Sequence, residues 1–183
     1  MTSILGIVAS SKLGAPPGSF ESIATVVGTG SSDTLTFSSI PSTYKHLQIR
    51  GIANDGVGNG YQAGLRFNSD TGANYVQHRI LGNGSTVTAT ANIGQSVMQI
   101  GNASNVADNF ATYIVDLHDY TSTTRNKTVR TFSGRDLNGS GGFCFLWSGL
   151  WQSTSAITSI SIINTGAISW PTTTTFALYG IKG

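Results

Sequence analysis

Disulfides, long apolar spans and dense charge are all missing from this chain. It has one cysteine, Cys144, so no internal disulfide can form. Only 10% of its residues are charged and proline occurs at four positions. Leu, Glu and Lys, which build surface helices, are scarce, and this disfavours a helical fold. No apolar run reaches the ~20 residues that a membrane-spanning helix requires. The formal net charge of +2 is too small to indicate nucleic acid or an acidic membrane as a partner. The basic residues are scattered, apart from Arg125, Lys127 and Arg130, which read as a solvated strand end.

What the chain has instead is glycine, at 23 positions, with abundant Ser, Thr and Asn and a steady supply of Ile, Val, Phe, Tyr and Trp. That mixture favours strands joined by turns and argues against disorder. At 183 residues, one domain can form, with roughly 70% of the unfolded surface buried on folding. Short strands with turn signals about every ten residues predict an all-β fold. The expected architecture is an antiparallel β-sandwich, jelly-roll-like, over residues 20–183.

The densest apolar stretch is 143–151, where Ser148 and Gly149 give the only relief. Its length, aromatic content and flanking Gly and Ser predict a strand buried on both faces, with Trp147 and Trp151 in the core and Cys144 as a buried, inert thiol. Residues 156–163 predict a neighbouring core strand. Elsewhere the period is two. Leu47, Ile49 and Ala53 alternate with His46, Gln48 and Arg50; Leu65 and Phe67 alternate with Arg66 and Asn68; and Ala111, Tyr113, Val115 and Leu117 share a face. Between 85 and 109 the pattern fades, and only 97–100 predicts a strand. Residues 174–181 predict a last strand closing the sheet.

Residues 1–19 predict an extended arm rather than part of the domain. Ile4, Leu5, Ile7, Val8 and Leu13 precede or flank a Gly-Ala-Pro-Pro-Gly linker that cannot be helical. Burying each aliphatic side chain gains about 1.5–3 kcal/mol. Ordering each backbone residue costs about 1–2 kcal/mol. The two nearly cancel, so the arm is expected to become fixed only against a neighbouring subunit. The apolar patch has no basic residue before it and is too short for a secretory signal. The Asn-x-Ser/Thr triplets are therefore read as turn chemistry.

Candidate chemistry is sparse. Asp116 and His118 share a strand face, but no third or fourth metal ligand has an obvious source, so no metal is expected. There is no Gly-x-Ser-x-Gly elbow, and the Gly-rich stretch 56–60 lacks the Lys-Ser/Thr ending of a phosphate loop. No catalytic residue and no cofactor is predicted. Surface loops supply the ligand-binding candidates Asn54, Asp55, Asn59, Tyr61, Tyr120 and Arg125, with Tyr61 and Tyr120 as sugar-stacking platforms beside polar loops.

Several ordered blocks carry a resemblance. FESIATV at 20–26, SSIPSTYKHLQIRGIA at 38–53, LRFNSDTGANY at 65–75, NKTVRTFSG at 126–134, SGLWQSTSAITSI at 148–160 and FALYGIKG at 176–183 resemble a family of small bacteriophage virion proteins. The leader SILGIVASSKL resembles theirs too. The resemblance implies a non-enzymatic structural component of the virion, made in the host cytoplasm. It would be a tail-fibre or tail-associated module whose loops touch host-surface glycan, or alternatively a capsid decoration protein. Implied partners are other virion proteins and copies of itself, with a trimer as the usual fibre symmetry, and neither nucleic acid nor membrane insertion.

Overall fold

A computed structural model describes residues 18–183 except 57, 59, 107 and 138–140; the arm residues Ile4, Leu5, Ile7, Val8 and Leu13 lie outside the described residues, as does Asn59. The described residues contain twelve strands and no helix. In chain order the first six are β1 (Phe20–Val27), β2 (Thr34–Phe37), β3 (His46–Ala53), β4 (Gln62–Phe67), β5 (Tyr75–Gly82) and β6 (Val87–Gln95). The rest are β7 (Met98–Asn102), β8 (Ala111–His118), β9 (Lys127–Asp136), β10 (Gly142–Trp151), β11 (Ile160–Asn164) and β12 (Thr175–Ile181). They form an eight-stranded sheet, β1-β12-β3-β8-β9-β10-β5-β6, and a four-stranded sheet, β2-β11-β4-β7, antiparallel throughout.

The pairing is that of one long hairpin rolled over on itself. β5 pairs with β6, β4 with β7, β3 with β8 and β2 with β11. Placing these pairs alternately in two facing sheets is jelly-roll connectivity. Two additions widen the large sheet: the β9–β10 hairpin sits between β8 and β5, and β12 with β1 extends the sheet past β3. Strand directions gather the loops 28–33, 54–61, 103–110 and 165–174 at one end of the sandwich. The loops 38–45, 68–74, 119–126 and 152–159 lie at the other end, as does residue 18.

The period-two faces read from the sequence form the core. Leu47, Ile49 and Ala53 of β3, Leu65 and Phe67 of β4, and Ala111, Tyr113, Val115 and Leu117 of β8 are all buried in one cluster. Ile160 and Ile162 of β11 pair with Phe67 and Leu65 in the small sheet, and Phe176 and Leu178 of β12 join the cluster from the large sheet. Each Leu, Ile, Val or Phe side chain among them contributes about 1.5–3 kcal/mol by leaving water. The facing sheets approach closely at Gly149 on β10, where a Cβ would lie 2.3 Å from the Met98 sulfur of β7. Glycine there makes room for a core methionine.

Five sequence expectations about β6, β10, β11 and β12 need correction. β10 is not buried on both faces: Phe145, Trp147 and Trp151 point inward, while Cys144, Leu146 and Ser148 are exposed on the other side. Cys144 is thus an exposed thiol and not a core one. β10 and β11 are not sheet neighbours, because 152–159 carries the chain across to the facing sheet. The passage 85–109 holds a nine-residue strand, β6, as well as β7. It escaped notice because β6 is an edge strand exposed on nearly its whole length, held by backbone pairing to β5 and needing no apolar alternation. β12 closes no edge: it lies between β1 and β3, and Tyr179 stacks on Phe20 at the outer face.

Candidate interaction surfaces

The loop 54–61 is built from the inside. Asp55 is fully buried, and its carboxylate accepts the Gly58 amide at 3.1 Å, the Tyr61 amide at 3.3 Å and the Gly60 amide. Asn54, also buried, donates through Nδ2 to the Val106 carbonyl at 2.5 Å and the Asn109 carbonyl at 2.9 Å, while its Oδ1 accepts the Gly56 amide at 2.6 Å. The Thr174 hydroxyl donates to the Asn54 carbonyl at 3.2 Å. A buried polar side chain must be matched with partners to be tolerated, and these two are matched by the backbones of the 54–61 and 103–110 loops. Asn54 and Asp55 therefore act as scaffold for this end of the sandwich. Neither presents a side chain to a ligand, contrary to the reading as surface contacts.

Arg135 supports the same end. Its Nη1 donates to the Ala103 carbonyl at 2.7 Å, and its guanidinium lies 5.0 Å from the Phe143 ring centroid. Burial lowers its pKa, with Tyr113 and Asp55 acting in the opposite direction. Tyr61 is half-buried with its ring against Gly166, where a Cβ would fall 2.3 Å from the ring.

Tyr120 and Arg125 lie at the opposite end, so the six candidates do not form one site. Tyr120 is 0% exposed; its hydroxyl donates to the Pro41 carbonyl, and burial pushes its pKa up. A ring with no open face cannot stack on a sugar, and the reading of Tyr120 as a platform falls. Arg125 is exposed and donates through Nη1 to Asp119 Oδ2 at 3.0 Å. Lys45 Nζ lies 2.6 Å from Asp119 Oδ1, and these cations hold the Asp119 carboxyl below its ordinary pKa, the Lys45 hydrogen bond first among the causes. His46 and His118 meet edge to face at 4.9 Å, and the His46 Nδ1 accepts the Asp119 amide at 3.2 Å. Among the described residues no group of three or more His, Cys, Asp or Glu side chains could hold a metal ion.

The surface that sequence reasoning missed is the outer face of the large sheet. Cross-strand register places Arg50, Ile114, Phe132, Leu146, Ile80 and Ala89 side by side in one row across β3, β8, β9, β10, β5 and β6. Ile114 is 41% exposed, Phe132 55%, Leu146 47% and Ile80 51%. The next row, one pleat toward the 54–61 end, adds exposed Ile52, Cys144 and Val87. The row on the other side is polar, with Gln48, Asp116, Arg130, Ser148 and His78. A hollow of about 460 Å³ lies over Ile80, Ala89, Leu146 and Ser148, and another of about 540 Å³ over Arg50, Ile52, Ile114 and Ala177. The sequence signal was present: Ile114 and Phe132 stand where the alternation calls for polar residues. Comparison with protein-family models, curated proteins and solved structures finds no match to this chain.

Proposed function

We propose that this chain is a non-enzymatic structural protein of a bacteriophage virion, in the first place a tail-fibre or tail-associated module. The observation that carries the reading is the outer face of the large sheet, a broad β surface on which large apolar residues stand in register across neighbouring strands. Contiguous exposed apolar surface of this kind marks a protein–protein contact. The blocks resembling virion proteins supply the setting, and other virion proteins and copies of the same chain are the partners. Jelly rolls host capsid subunits and lectins alike, so the fold alone does not choose between them. Host glycan would meet the exposed rim of the 54–61 end, at Tyr61 and the backbone that Asp55 organises.

A capsid decoration role is the second reading. It is favoured by the burial of Asn54, Asp55 and Tyr120, which leaves fewer side chains for a sugar and puts weight on protein docking. Quantitative mass spectrometry of purified particles separates the two. A copy number matching a fibre or baseplate supports the tail; one comparable to the shell subunits supports decoration. Absence from washed particles argues against both.

A further inference from the structure

The outer face of the large sheet has a pattern that identifies its first partner. We propose that it binds a second copy of itself, face to face, about a two-fold axis running parallel to the strands between β9 and β10. The proposal deepens the assembly reading above by naming the partner, and it departs from the three-fold symmetry expected of a fibre.

The argument is one of self-complementarity. Such an axis exchanges β9 with β10, β8 with β5 and β3 with β6, leaving each row opposite itself in reverse. In the apolar row Phe132 then meets the partner's Leu146, and Ile114 meets the partner's Ile80. One row up, Ile52 meets the partner's Val87. One row down, Asp116 meets the partner's His78 and Arg130 meets the partner's Ser148. Arg50 falls on the partner's Ala89. No charge meets its own sign, and large apolar side chains meet each other. An axis displaced by one strand toward β8 would put Arg50 on the partner's Leu146 and lose this match. Rotation about a strand-parallel axis also keeps the strand directions aligned, the arrangement in which two twisted sheets pack face to face.

The size is adequate. The six strands from β3 to β6 that face each other across the axis, about 4.8 Å apart, and three rows about 7 Å apart give a face of roughly 29 by 21 Å, or about 600 Å² per copy. Two copies would bury about 1,200 Å², at the lower end of the range of about 1,200–2,000 Å² typical of stable complexes. The polar atoms need little rearrangement: Asp116 Oδ1 already takes a hydrogen bond from Gln48 Nε2 at 2.8 Å, which holds the carboxylate in the polar row.

The test is the mass of the full-length chain in solution, by sedimentation velocity and light scattering. The wild type should run as two copies of the 19.1 kDa chain. The double variant Phe132→Glu, Leu146→Glu should weaken association by roughly 100-fold or more, with an unchanged circular dichroism spectrum because both side chains are exposed in the monomer. His78→Asp, which sets a carboxylate against the partner's Asp116, should weaken it by about tenfold, and His78→Lys should not. Cys144 gives an independent readout. It lies beside the axis, so a bis-maleimide spanning roughly 10 Å, the spacing of face-packed sheets, should join two wild-type chains and fail with the double variant. A wild-type monomer at about 100 μM, a trimer, or a dimer indifferent to both the Glu and the His78→Asp changes would overturn the proposal. A monomer that is nonetheless found on particles would sink this inference and leave the virion reading standing.

Discussion

Trp151 donates its indole N–H to the Asp70 carboxylate at 2.7 Å, tying the end of β10 to the turn between β4 and β5. Asn74 Nδ2 and the Gly72 amide donate to the same carboxylate, at 2.9 and 2.8 Å. These bonds, the Trp151 one first, hold the Asp70 carboxyl below its ordinary pKa. Stability from this group is therefore complete above the unfolded value, about 4, and is lost as pH falls through the lower folded value. Asp70→Ala should cost about 2 kcal/mol at neutral pH, because a charged acceptor is removed and the buried indole N–H loses its partner. Urea melts from pH 7 to pH 2 should show the acid limb shrinking in Asp70→Asn; an identical limb in variant and wild type would remove Asp70 as its source.

Gly28 and Gly82 make opposite predictions from the same substitution. A Cβ on Gly28 would lie 1.9 Å from the Pro171 carbonyl oxygen, a backbone atom with no rotamer to change. Gly82 sits on the outer face with nothing within 4 Å of where its Cβ would be. Gly28→Ala should destabilise by about 2 kcal/mol, while Gly82→Ala should stay within about 0.5 kcal/mol of wild type. Thermal melts of the pair decide it, and equal Tm values would contradict the packing described for the 28–33 and 165–174 loops.

The scaffold role of Asp55 differs measurably from a ligand-binding role. Asp55→Ala removes the acceptor of three loop amides and should cost about 3 kcal/mol. Hydrogen exchange at Gly58, Gly60 and Tyr61 should speed up in step. Arg125→Ala, at an exposed ion pair, should change stability by no more than about 0.5 kcal/mol. If Asp55→Ala melted like wild type while host-glycan binding disappeared, Asp55 would be a recognition residue after all.

At Tyr120, removal of the hydroxyl alone separates core from surface. Tyr120→Phe keeps the buried ring and gives up the bond to the Pro41 carbonyl, which should cost about 1 kcal/mol. An unchanged Tm would mean that water or another donor replaces it.

Most of the strand layout was legible because it is written in period two. Leu47, Ile49 and Ala53 alternate with polar neighbours, and all three are core residues. β6 was not legible, since a solvated edge strand such as Val87–Gln95 has no buried face to leave a pattern. The run 143–151 misled for the opposite reason. Its outward positions, Cys144 and Leu146, are as apolar as its inward ones, so one-sided burial looked two-sided. The loop candidates misled because composition cannot tell which way a side chain turns. Asp55 sits in a Gly-rich loop and still points inward, since the Gly58 and Gly60 amides need an acceptor there. Register was beyond the sequence altogether, and only register reveals that Ile114, Phe132, Leu146 and Ile80 stand in one row.

Location on the particle bears most directly on the assignment as a virion component. An antibody against the folded domain, applied to purified and salt-washed phage and viewed by immunogold electron microscopy, should label intact particles at a fixed position on the tail or evenly over the head. Label found only in the lysate, with particles bare and the protein missing from their digest, would contradict the account.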